Sequence, residues 1–192
     1  MKIFLIGYRA TGKTTVARLL AQSLGLAFVD LDHLIEERAG ITIKEIVARY
    51  GWSVFRAQER QALLEMVCLP HGVAVACGGG AVLHRDLWPE IRPRGLVVWL
   101  KASPETIYQR LVADEKTATQ RPSLTNHRDL MNEIRETLAE RLPLYQEVAH
   151  WAIDTEGRSP EEVRDAILAR LKSSRSVPES LNPEGLPGQK GP

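Results

Sequence analysis

Apolar positions along the chain gather into five short runs, at 3–6, 27–29, 73–76, 96–100 and 151–153, each of strand length and rich in Val, Ile, Leu or aromatic residues. Between them the apolar spacing changes to three and four. It predicts helices near 13–24, 31–39, 42–50, 53–68, 84–91, 103–113, 127–148 and 159–172. Short buried strands alternating with helices imply right-handed crossovers and a parallel sheet covered on both faces. The expected fold is therefore α/β, with three α/β/α layers around a five-stranded parallel sheet. Ligands on such a sheet collect at the carboxyl ends of its strands.

Two stretches break the periodicity. The segment 114–126, DEKTATQRPSLTN, is polar and carries a proline, so it reads as a long exposed loop of the kind that serves as a lid. From residue 173 onward the chain is rich in Pro, Gly and Ser and has almost nothing to bury, which predicts a disordered tail over 173–192 behind one domain over 1–172.

Charge narrows the functions. With 25 basic and 24 acidic residues the net charge is +1, which argues against a nucleic-acid surface or an acidic-membrane surface. No run approaches the roughly 20 apolar residues that cross a bilayer, and MKIFLIG enters a strand without a signal-peptide pattern, so the expected location is the cytoplasm. Cys68 and Cys77 have neither metal-ligand nor disulfide spacing and read as core or near-core thiols. The five histidines, His33, His71, His84, His127 and His150, form no metal pattern and receive no role.

The first strand ends at Gly7, and Gly7, Gly12, Lys13 and Thr14 then fill the spacing G-x-x-x-x-G-K-[ST]. Glycines let backbone N–H groups wrap an anion, the lysine reaches terminal phosphates, and the threonine hydroxyl suits magnesium. A nucleoside triphosphate is the expected ligand. At the end of the second strand, Asp30 and Asp32 point to one side in extended geometry. Asp32 reads either as the cap of the next helix or as a site carboxylate, and the nearby loop favours the site. Arg56 and Glu59 share a helix face, and from spacing alone they read as a solvated pair. Gly78, Gly79 and Gly80 follow the third strand, either as a tight turn or as a place of close approach to a ligand. That strand lacks the terminal aspartate with which many phosphate-loop enzymes hold magnesium, so Asp30 inherits the task.

The ordered set GYRATGKT (7–14), DLD (30–32), FRAQE (55–59), GGGAV (78–82), RPSL (121–124), ERLPLY (140–145) and DTEGRSP (154–160) resembles the shikimate kinase family from residue 1 to about 171. The resemblance implies a P-loop kinase fold with a mobile lid, and transfer of the γ-phosphoryl group of ATP to the 3-hydroxyl of shikimate on the way to chorismate and aromatic amino acids. It also implies the roles. Lys13 would neutralise the β- and γ-phosphates, with Gly7, Ala10, Thr11, Gly12, Thr14 and Thr15 completing the nucleotide contacts. Thr14 and Asp30 would hold Mg2+, and Asp32 would accept a hydrogen bond from the reacting hydroxyl. Arg56 and Arg141 would grip the shikimate carboxylate, with Glu59 holding Arg56 and with Gly78, Gly79 and Gly80 against the ring. Pro143 is expected to interrupt its helix and so turn Arg141 to the site. Arg121 would reach the transferring phosphate from the lid, while Arg110, Arg158 and Pro160 would wall the adenine pocket. A monomer acting on a small molecule is expected. The alternatives are a gluconate kinase-like or nucleoside monophosphate kinase-like enzyme, and a catalytically inactive binding protein of the same family. The joint DLD, FRxxE, GGG and R-x-P-x-Y motifs argue against the first, and intact Lys13, Thr14, Asp30, Asp32 and Arg121 against the second.

Overall fold

A computed structural model of the chain describes residues 1–113 and 129–175. The 114–126 lid with Arg121, His127 and most of the expected tail therefore lie outside the described residues. Five strands, β1 (Lys2–Ile6), β2 (Ala27–Asp30), β3 (Val73–Ala76), β4 (Leu96–Lys101) and β5 (Trp151–Asp154), form one sheet in the order β2-β3-β1-β4-β5. Every pairing is parallel, with Ile3 opposite Ala74 on one side and Leu96 on the other. The seven α-helices among the described residues are α1 (Lys13–Leu24), α2 (Leu31–Ala39), α3 (Ile43–Cys68), α4 (Trp88–Ile91), α5 (Pro104–Ala113), α6 (Leu130–Val148) and α7 (Pro160–Arg175).

The alternation of side chains along a strand divides the core into two layers. Phe4, Ile6, Val75, Val97 and Trp99 face one cluster, closed by Ile46, Phe55 and Leu63 of α3 and Tyr145 of α6. Ile3, Leu5, Ala74, Val98 and Leu100 face the other, closed by Val16 and Leu20 of α1 and by Val163 and Ile167 of α7. A third cluster of Tyr8, Ile107, Leu111 and Ile134 joins α5 and α6 to the loop after β1. All the central strands are buried on both faces, as their unbroken apolar runs require.

Five local expectations change. The two helices expected at 42–50 and 53–68 are one element, α3, broken only at Gly51, whose φ of 82° and ψ of 168° put a kink where the chain needs no side chain. A capping box between Thr42 and Glu45 starts it. Of the helix expected at 84–91 only α4 is helical, after a 3-10 turn (Ala81–Leu83) and an irregular stretch, because Pro89 fits only the first turn of a helix. Pro143 does not interrupt α6: it and Ala139 lie on the exposed face, where water can serve the carbonyl that the proline leaves unbonded. Lastly, α7 runs to Arg175, so the first three residues assigned to the tail are helical, and Cys68 is exposed at the end of α3 while Cys77 is buried.

Candidate active site

The loop from Gly7 to Gly12 leaves β1, the central strand, and delivers its last glycine as the left-handed N-cap of α1. Lys13 is the first helical residue and is largely buried, with its Nζ donating to the Tyr8 carbonyl at 2.6 Å. Thr11 Oγ1 donates to the same carbonyl at 2.9 Å. Ala10 holds a left-handed φ of 59°, the only described non-glycine residue that does, so the loop is wrapped tightly even at a position with a Cβ. Thr15 lies exposed in the first turn of α1.

Thr14 Oγ1 donates to Asp30 Oδ2 at 2.6 Å, which joins the start of α1 to the end of β2. The other carboxylate oxygen, Oδ1, accepts from the backbone N–H groups of Asp32 and His33, so the cap of α2 is Asp30 and not Asp32. That leaves Asp32 on the first turn of α2 lining the pocket beside the loop. A hydroxyl and a carboxylate oxygen set this close suit a hard divalent cation such as Mg2+.

The acceptor side is assembled from distant parts of the chain. Asp32 of α2, Trp52, Phe55, Arg56 and Glu59 of α3, Gly79 and Gly80 after β3, Arg141 of α6 and Arg9 of the loop surround one pocket of about 420 Å³. Glu59 is fully buried and forms an ion pair with Arg56 Nη1, while the Arg56 guanidinium also lies over the rings of Trp52 and Phe55. The pair predicted as solvated is thus internal. The glycine run is needed for close approach: a Cβ at Gly80 would land inside the Arg56 guanidinium, and one at Gly78 would sit 2.5 Å from Glu59 Oε1 and 2.7 Å from Asp32 Oδ1. From the opposite wall, Arg141 Nη1 and Tyr145 Oη both donate to the Gly79 carbonyl, at 2.9 and 2.8 Å. Burial raises the Tyr145 phenol well above its ordinary value, which keeps it a neutral donor.

A second groove, of about 540 Å³, opens on the other side of the loop among Ala10, Thr11, Gly12, Arg110, Thr155, Arg158 and Pro160. Arg110 spans it by donating to the Ala10 carbonyl at 3.3 Å and to Thr155 Oγ1 at 3.1 Å. Each side of the loop therefore has its own cavity.

Of the described site residues named from the sequence, Thr14 and Asp30 meet each other between α1 and β2, Gly78 backs the acceptor pocket, Thr15 is exposed on α1, and the others lie on the loop, at its junction with α1 or in one of the two cavities. Sequence reasoning gives no site role to Arg9, Glu133, His84, Tyr145 or Thr155. Arg9 is bound to Glu133 of α6 at 2.5 Å with its guanidinium over the Tyr8 ring, and His84 Nε2 lies 3.0 Å from Glu59 Oε2. Signals of burial are nonetheless present in the chain. Glu59 lies in the apolar row Phe55, Ala62, Leu63 and Met66 of α3, and Arg141 in the row Thr137, Tyr145 and Val148 of α6. A charged residue in an apolar stripe is buried, and a buried charge needs a partner.

The family model described as shikimate kinase matches residues 9–172. A protein called shikimate kinase 2 from Yersinia enterocolitica is 45% identical over 173 residues, covering 90% of this chain and 97% of its own. A solved structure, shikimate kinase from Acinetobacter baumannii in complex with shikimate, superposes with a TM-score of 0.82 at 35% identity over 92% of this chain and 95% of that one. A gluconokinase from Sinorhizobium meliloti, covering 91% and 94%, reaches a TM-score of only 0.56 at 21% identity and shares the fold alone.

Proposed function

The chain belongs to the shikimate kinase family, and on that premise we propose that it transfers the γ-phosphoryl group of ATP to the 3-hydroxyl of shikimate, giving shikimate 3-phosphate and ADP. The observation that carries this reading is the acceptor pocket, which gathers Arg56, Arg141 and Asp32 beside the loop that leads into Lys13.

ATP lies with its phosphates in the loop and its base in the groove of Arg110, Arg158 and Pro160. Lys13 gives up its contact with the Tyr8 carbonyl to neutralise the β- and γ-phosphates. Thr14 and Asp30 hold Mg2+, which supplies charge neutralisation to the phosphates when bound. Shikimate enters the other pocket with its carboxylate toward Arg56 and Arg141, since guanidinium forks match a carboxylate bidentately. Asp32 then accepts the hydrogen bond of the 3-hydroxyl and aims its oxygen along the line of transfer. Phosphoryl transfer needs position and charge more than covalent help, and these residues offer both. Arg121, outside the described residues, is assigned to the transferring phosphate. The working unit is a monomer of one domain that includes the whole of α7, in the cytoplasm, without nucleic-acid or membrane partners. No helix among the described residues is long and apolar enough to cross a membrane.

A coupled ADP-release assay against shikimate, quinate, gluconate and AMP tests the assignment. Turnover is expected with shikimate, and turnover confined to gluconate or AMP would overturn it.

A further inference from the structure

We propose that His84 is a positioning residue for the acceptor pocket, acting through Glu59 on Arg56; the inference deepens the functional reading above and rests on it for its kinetic arm. His84 does not line the pocket. Its imidazole is almost wholly buried behind it, with Nε2 3.0 Å from Glu59 Oε2, the same oxygen that receives Arg56 Nη1. A carboxylate only accepts, so the Nε2 of His84 carries the proton and donates it. Among the described residues Arg56 and His84 are the two hydrogen-bond donors to this carboxylate, and Glu59 Oε1 is buried without one.

The imidazole is not what holds its own turn. The His84 backbone N–H donates to the Ala81 carbonyl, its carbonyl accepts from Leu87, and Trp88 Nε1 donates to the Ala81 carbonyl. The turn is closed by backbone and indole bonds, and the imidazole is left to fix one carboxylate. Its effect on the site follows from the burial of Glu59. A fully buried carboxylate held at one oxygen by two donors has a single orientation, and Arg56, which packs against Gly80 and two aromatic rings, takes its direction from it. Without His84 the carboxylate pivots on Arg56 alone, and the guanidinium loses its fixed aim at the substrate carboxylate.

The test compares His84→Ala, His84→Gln and His84→Asn in the full chain. The Gln amide nitrogen can occupy the place of Nε2, whereas the Asn amide falls short of it. Replacement by Ala or Asn should raise the KM for shikimate about tenfold, with kcat and the KM for ATP changed less than about twofold, and Gln should restore most of the loss. Equal impairment by Gln and Asn, or a parallel fall in kcat and ATP binding, would overturn the proposal and leave His84 a packing residue. Should the Ala variant not fold, the Gln and Asn pair decides. A substrate-free arm separates this from the assignment of shikimate: in long-range proton–nitrogen spectra His84 should be protonated at Nε2, with that signal moved by Glu59→Gln. A signal indifferent to Glu59→Gln overturns the relay, whereas its retention in a protein that fails to phosphorylate shikimate removes only the functional reading.

Discussion

The phosphate loop and the acceptor pocket share one cleft but are built in opposite ways. The loop is contiguous: eight residues from Gly7 to Thr14 carry its shape in their own backbone, and its lysine and two threonine hydroxyls bond to oxygens within the loop or to Asp30, 16 residues on. The pocket is assembled from α2, α3, the turn after β3 and α6, and its far wall is tied to the turn by Arg141 and Tyr145, whose bonds to Gly79 span 62 and 66 residues of chain. A local device tolerates distant substitutions and fails at one residue. An assembled one spreads its dependence, so single losses should be smaller and confined to one ligand.

The sharpest way to break this contrast is Lys13→Ala. Because the contact is local, turnover should fall by ~10²-fold or more while thermal unfolding stays near that of the parent. Near-normal turnover would mean that the loop does not carry the charge assigned to it. Next in size is the loss of one arm of the pocket. Arg141→Ala should weaken shikimate binding by about 1.5–3 kcal/mol, the scale of a hydrogen bond to a charged group, and spare ATP, as separate titrations would show. Arg56→Ala should do the same and also lower the melting temperature, since it strips a buried carboxylate of its guanidinium.

Gly80→Ala sharpens the comparison further. The three atoms nearest its Cβ would all belong to the Arg56 guanidinium, the far end of a long side chain, so the fold should survive while the KM for shikimate rises, by less than on removal of Arg56 itself. A large loss of stability would show that the turn, and not the guanidinium, is what the glycine serves. The smallest effect lies away from both regions. His150 Nδ1 accepts from the Val97 N–H, and burial together with Arg92 holds its pKa below the ordinary 6.5. The unfolded chain therefore takes up that proton first, so the contribution is complete above about pH 6.5 and is lost as the pH falls below it. In His150→Asn, which keeps an acceptor without a titration, the melting temperature should depend less on pH over that range.

The same contrast governs how much of the molecule its sequence discloses. The five strands, the layering and the loop are legible because periodicity and a contiguous motif are local properties of a chain. The Arg56 and Glu59 pair is not, since i,i+3 spacing is the same on a wet face and a dry one; only its position in the apolar stripe of α3 distinguishes them. Pro143 misleads for a related reason: the cost of a helical proline depends on which face it occupies, and that is set by what α6 packs against. Arg9 and His84 have partners 124 and 25 residues away, which no local pattern announces.

The place of β1 at the centre of the sheet also bears on how the protein is made. It is the first of the five strands to leave the ribosome, yet its partners are β3, beginning at Val73, and β4, beginning at Leu96. At roughly 5–20 residues per second, the segment IFLI waits several seconds of synthesis with both its edges open and no charge within it. Parallel pairing over such separations is slow to form even once the partners exist. The central strand of the finished sheet is thus the one that waits longest for its neighbours.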